Sequence, residues 1–97
     1  MNRSVEDTLR AVVDALERRA LADRTEALPA LRSVRALLAN DEAEIAVDYL
    51  VNTLNAFRLA LRQDEYGCLV TAAGRLDQAD TVTDLDPRLL RPASEGR

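Results

Sequence analysis

The side chains with the most chemical reach in this chain are carboxylates. Asp41, Glu42, Glu44 and Asp48 crowd one short stretch, Asp64 and Glu65 form a second group, and Asp77, Asp80, Asp84 and Asp86 follow. Clustered carboxylates can share protons in acid–base catalysis, hold a hard cation, or face a basic partner. The first cluster lacks the Gly and the closing Glu of a calcium-binding loop. Acid–base work needs an enclosing pocket, and nothing in the pattern calls for one. Two readings stay open: a solvated helix N-terminus, where the helix dipole favours negative charge, and a docking face for a basic protein.

Other reactive types are scarce. The 97 residues include no His, which removes the commonest general base near neutral pH and the commonest metal ligand. The single Cys68 has no partner for an intramolecular disulfide and cannot build a structural zinc site. It reads as a small buried hydrophobe. Ser4 and Ser94 are terminal, Ser33 falls in mid-helix, and no Gly-rich nucleophile or phosphate-binding motif is present. The expectation is therefore a protein that is not an enzyme, with no catalytic residues, no cofactor and no metal.

Thirteen basic residues, all of them Arg, stand against seventeen acids, for a net charge of −4. Residues 1–40 carry seven Arg and six acids, whereas residues 41–86 carry three Arg and ten acids. A negative field of this kind repels nucleic acid and attracts basic partners. Arg18, Arg19, Arg24, Arg32 and Arg35 could form a basic patch. The acids interleaved with them argue against a nucleic-acid footprint.

These groups must be positioned by helices. Apolar residues make up 47% of the chain, with only Tyr49, Phe57 and Tyr66 aromatic. The core must then come from Leu, Val, Ile and Ala, which suits packed helices better than stacked strands. Ser4 ahead of Glu6 and Asp7 reads as an N-cap. Val5, Leu9, Val12, Val13, Leu16 and Ala20 then form one stripe, with Asp14 and Arg18 paired on the wet side. Residues 22–27 read as a connection. A second helix over 28–39, with Pro29 in its first turn, has Leu31, Val34, Leu37 and Leu38 inward and Asn40 as its left-handed stop. Asp41 or a neighbour caps a third helix, expected to be the most buried, with Ile45, Ala46, Tyr49, Leu50, Thr53, Leu54 and Phe57 as its stripe. Tyr49 and Tyr66 read as core residues with hydroxyls at the rim; Tyr is also a common interface anchor.

Residues 57–62 alternate apolar with polar or small residues, and read as an extended linker pinned by Leu59 and Leu61. A fourth helix over 63–76 turns Tyr66, Leu69, Val70, Ala73 and Leu76 inward. Gly67 and Gly74 weaken that helix and suggest close packing at those points. Residues 77–81 are polar, and residues 83–87 cap a short last turn through Leu89 and Leu90. The expected fold class is all-α, a small bundle of four main helices with room for a short fifth. The expected organisation is a single helical domain over 1–91 and a frayed tail over 92–97.

The stretch from Asn40 to Leu50, continued by Leu54, Phe57, Leu59 and Leu61, resembles the middle of immunity proteins of the MafI type from bacterial polymorphic toxin systems. Glu42 matches the acid that opens the family's helix, Ile45-Ala46-Val47 its apolar triplet, and Leu50 and Leu54 the next core positions. Phe57 matches its closing aromatic, Leu59 and Leu61 the extended pair, and Tyr66 the early Tyr of the following helix. Asp41 stands where Gly is usual, Ala60 where Pro is common, and Arg62 where Ser or Thr would cap. The likeness covers residues 40–66.

What the resemblance implies is a non-catalytic inhibitor that binds a cognate toxin domain, often a nuclease. Charge density and placement, not the resemblance, point to an acidic docking surface, with Asp41, Glu42, Glu44, Asp48, Asp64 and Glu65 as the candidate partner-binding residues. The competing expectation is a homodimeric helical adaptor; a third is an antitoxin that also binds DNA. No nucleic-acid or membrane partner is expected. The start of the chain turns acidic without an apolar signal core, and no apolar run is long enough to span a bilayer. A cytoplasmic location is the default expectation.

Overall fold

Apolar residues recurring at three- and four-residue spacing build four long helices in the computed structural model, which describes residues 3–91. Helix α1 (Arg3–Asp23) leads through one 3₁₀ turn (Thr25–Ala27) into α2 (Leu28–Ala39). Helices α3 (Ala43–Phe57) and α4 (Gln63–Arg75) follow, then the single-turn α5 (Ala79–Val82) and a second 3₁₀ turn (Pro87–Leu89). The expected all-α bundle is the observed fold. The short fifth helix lies earlier than expected, in the polar stretch after α4, and the turn expected near Leu89 is 3₁₀. Residues 92–97, read from sequence as a frayed tail, lie outside the described residues.

At about 1.5 Å per residue, the 21 residues of α1 are long enough to run along most of the 38 Å long dimension. Helix α1 packs between α2 and α4, α3 packs on α2, and α5 bridges α4 and α3. The core is aliphatic, with Leu9, Leu31, Leu38, Leu50, Leu54, Leu61 and Leu69 fully buried. As expected, α3 is the most buried helix: Ala43, Ala46, Val47, Leu50, Val51, Thr53 and Leu54 all face inward.

The linker after α3 is extended, as its alternation requires, and Leu59 and Leu61 are both buried. It also does something the sequence does not announce. Leu61–Arg62 (β1) pairs in parallel with Leu90–Arg91 (β2), so the segment after α5 is stitched to the start of α4. Asn55 adds a clip, donating from Nδ2 to the Asp84 carbonyl (3.0 Å) and accepting at Oδ1 from the Asp86 N–H (2.9 Å).

Several local expectations are corrected. Ser4 lies inside α1, where its carbonyl accepts from Thr8 Oγ1. Asp14 meets Arg35 of α2 in place of Arg18, and Glu17 joins the same guanidinium at 2.8 Å; tying two helices together uses those charges across the bundle. Asn40 has φ of −99°, and the left-handed residue is the next one, Asp41, at 64°. The Asp41 N–H bonds the Leu38 carbonyl and the Glu42 N–H the Leu37 carbonyl, the two bonds of a Schellman turn. Gly67 and Gly74 are exposed, and a Cβ at either would meet nothing within 4 Å, so neither marks close packing. Cys68 is exposed, because the inward face of α4 is taken by Leu69, Ala72 and Ala73.

Candidate protein-docking face

Helix α3 sets the geometry. With Ala43, Ala46, Val47, Leu50 and Leu54 turned to the core, the opposite side must present Glu44, Ile45, Asp48, Tyr49 and Asn52, and all five are exposed. The expectation that Ile45 and Tyr49 face inward is corrected here: they are 54% and 41% exposed. A helix can bury only one stripe against the neighbour it has. The stripe through Val47 and Val51 carries no charge, whereas the stripe through Ile45 and Tyr49 is flanked by Glu44 and Asp48. That flanking charge was the available signal. Val70 is likewise turned outward from α4, at 39% exposed.

The face continues into the α2–α3 turn. Asp41, Glu42 and Glu44 line a depression together with Ile45, Leu76 and Glu6 from the first turns of α1. Among the described residues, Asp41, Glu42, Glu44 and Asp48 form no ion pair with Arg. The hydrogen bond that Glu6 shares with Asp41, and then burial, holds the Glu6 carboxyl above its ordinary range. Both α1 and α3 start at this end, so the positive ends of two helix dipoles temper the crowding.

The other two candidates lie elsewhere. Glu65, in the first turn of α4, binds Arg19 of α1 through both oxygens at 2.7 and 2.8 Å and accepts from the Arg62 N–H at 3.0 Å. Its side chain is largely covered. Burial pushes its carboxyl up, but Arg19 and the Arg62 N–H outweigh that and leave it below the ordinary range. Asp64 is exposed beside it and lies 3.5 Å from Arg62 Nε. Glu6 and Arg19 mark the two places on α1, and thirteen residues of helix separate them by about 20 Å. The six candidates are therefore not one surface: Asp41, Glu42, Glu44 and Asp48 run together, Asp64 stands apart, and Glu65 is committed to holding α4 on α1.

Chemically, the face offers carboxylates and two apolar anchors, with no nucleophile among them. Among the described residues, no group of three or more His, Cys, Asp or Glu is placed to hold a metal ion, and no helix is long and apolar enough to cross a membrane. No family model, curated protein or solved structure matches the chain.

Proposed function

We infer that this chain is a non-catalytic binding protein of the immunity type, which neutralises a basic toxin domain by covering it with the outer face of α3. The observation that carries the reading is the composition of that face. Glu44 and Asp48, without an ion pair among the described residues, flank the exposed Ile45 and Tyr49, and Asp41 and Glu42 extend the charge. Carboxylates steer a basic partner and speed encounter, while a desolvated Tyr with an aliphatic neighbour supplies the residence time. A nuclease cleft, built to attract phosphates, has the matching charge. Support also comes from the order of parts on which the resemblance rests: an acid-led helix ending at Phe57, an extended Leu59–Leu61 pair, then a helix with an early Tyr.

The test is affinity capture from the source lysate with two baits, the natural chain and the double variant Glu44→Arg/Asp48→Arg. A basic protein retained by the first and lost from the second is the expected result. Equal retention by both baits removes the α3 face from the reading.

One observation favours a second reading, the homodimeric adaptor. Residues 66–74 of α4 carry no charge, and Gly67, Cys68, Val70, Thr71 and Gly74 are exposed on its outer side. Two such helices packed antiparallel would set Asp64 of each copy near Arg75 of the other. Sedimentation at micromolar concentration separates the two, since a tight dimer of the isolated chain supports the adaptor.

A further inference from the structure

The end of the molecule away from the acidic depression carries the opposite chemistry. Helices α1 and α3 both finish there, and a cavity of about 250 Å³ opens between their last turns and the extended linker. Four guanidinium-bearing residues line it: Arg19, Arg24, Arg58 and Arg91. Asp23, the one acidic residue of the lining, is exposed.

Part of this arginine density is structural. Arg24 donates to the Phe57 carbonyl at 3.0 Å, and Arg19 to the Ala60 carbonyl at 3.0 Å, answering carbonyls left bare at a helix end and in the linker. Glu65 neutralises Arg19, and Asp86 neutralises Arg58 at 2.7 Å. The other two guanidiniums are held less firmly. Arg24 pairs with Glu26 at 3.8 Å, a separation longer than a hydrogen bond. Arg91 donates only to the Arg88 and Leu90 carbonyls, and among the described residues it forms no ion pair. Arg58 is placed at a cost as well. It holds a left-handed φ of 54° at the end of α3, where glycine would serve without strain.

We propose that this arginine-lined cavity is an oxyanion site that takes the phosphate group of a small phosphorylated molecule. Arg24 and Arg91 are its donors, and the paired Arg19 and Arg58 form its walls. Guanidinium forks match phosphate oxygens geometrically. The shape favours a small ligand over nucleic acid, which needs an extended basic track; here the surface beyond the cavity mixes both signs. The site is independent of the α3 face and stands or falls separately from it.

The experiment is an NMR titration of the full chain at constant ionic strength, first with inorganic phosphate and then with phenyl phosphate. Saturable shifts of the Arg24, Leu59 and Ala60 amides are expected. Tighter binding of the ester identifies a phosphorylated organic molecule, and equal binding identifies free phosphate; either supports the site. Arg91→Gln should weaken binding about tenfold, the loss of one charge-assisted contact. Arg32→Gln, exposed on α2, should leave it unchanged. Non-saturating shifts would overturn the proposal, as would an Arg91→Gln chain that binds like the natural one. A single-stranded oligonucleotide that binds far more tightly than the ester, with shifts spread over the surface, would replace it with a nucleic-acid surface.

Discussion

Asp41, Arg58 and Asp77 hold φ of 64°, 54° and 62°, each within two residues of the end of a long helix. The turn after α4 repeats that after α2: the Asp77 N–H bonds the Gly74 carbonyl and the Gln78 N–H the Ala73 carbonyl. A side chain in this region costs about 1 kcal/mol that glycine avoids. The described glycines sit instead inside α4, where each costs about 1 kcal/mol relative to Ala. Asp77→Gly and Gly74→Ala should therefore each raise stability by about 0.5–1 kcal/mol, read as a higher urea midpoint at unchanged slope. Glu65 makes a pH-dependent prediction. Its carboxyl titrates below the ordinary value of 4.5 in the fold, so its stabilisation is full above that pH and is lost as pH falls through the depressed value. Glu65→Gln should cost about 1–2 kcal/mol at pH 7, and the gap between the two proteins should close as both are titrated downward from pH 4.5. A gap that stays constant into acid would show that the Arg19 contact contributes nothing through charge. Asp86, held low by the Arg88 N–H and then by the Arg58 and Arg88 guanidiniums, loses its stabilisation in the same direction. Glu6 runs the other way, so the difference between two proteins is the quantity to follow.

Helix α3 does two jobs as an element: its inner face fills the core and its last turn holds the segment around Asp84 and Asp86. Leu50→Ala, in the fully buried stripe, should cost about 2–5 kcal/mol, whereas Asn55→Ala should act locally. Removing the clip frees the Asp84 carbonyl and the Asp86 N–H. The expected result is faster hydrogen exchange at Leu85 and Leu89 with α1 and α2 unchanged; uniform acceleration would mean that the segment and the bundle open as one unit. How much of this was legible follows from what each signal measures. Helix spacing located α2, α3 and α4 almost to the residue, because runs such as Leu31, Val34 and Leu38 admit one buried stripe. It misplaced Ile45 and Tyr49 because α3 is apolar on more than one side, and spacing alone does not say which side a neighbour covers. The β1–β2 pairing and the Asn55 clip were not legible, since each joins residues about thirty positions apart and has at least one partner that is a backbone group every residue carries. The split of the six acids is of the same kind. Asp64 and Glu65 follow Asp48 closely in sequence, but α3 must cross the molecule before α4 begins.

At the scale of the whole molecule the two ends differ: one gathers carboxylates, and the other sets arginines among their acidic partners. Carboxylates of α1, the α2–α3 turn and α3 gather around Glu6 and Asp41, and four arginines gather where α1 and α3 stop. A net charge of −4 understates the field an approaching protein meets on the α3 side, because Asp41, Glu42, Glu44 and Asp48 have no arginine partner among the described residues. Association with a basic partner should then be fast at low salt and fall steeply as salt rises. Glu44→Arg/Asp48→Arg should slow association about tenfold at low salt and flatten the salt dependence. It should change stability by no more than about 0.5 kcal/mol, since both side chains are exposed. Tyr49→Ala should behave differently, leaving the on-rate near that of the natural chain and speeding dissociation, because an apolar anchor acts only after contact is made. Stopped-flow association at several ionic strengths, with dissociation followed by competition, distinguishes the two. On-rates unmoved by the charge reversal would detach the electrostatics from binding. An off-rate unmoved by Tyr49→Ala would place the contact on another face of the bundle.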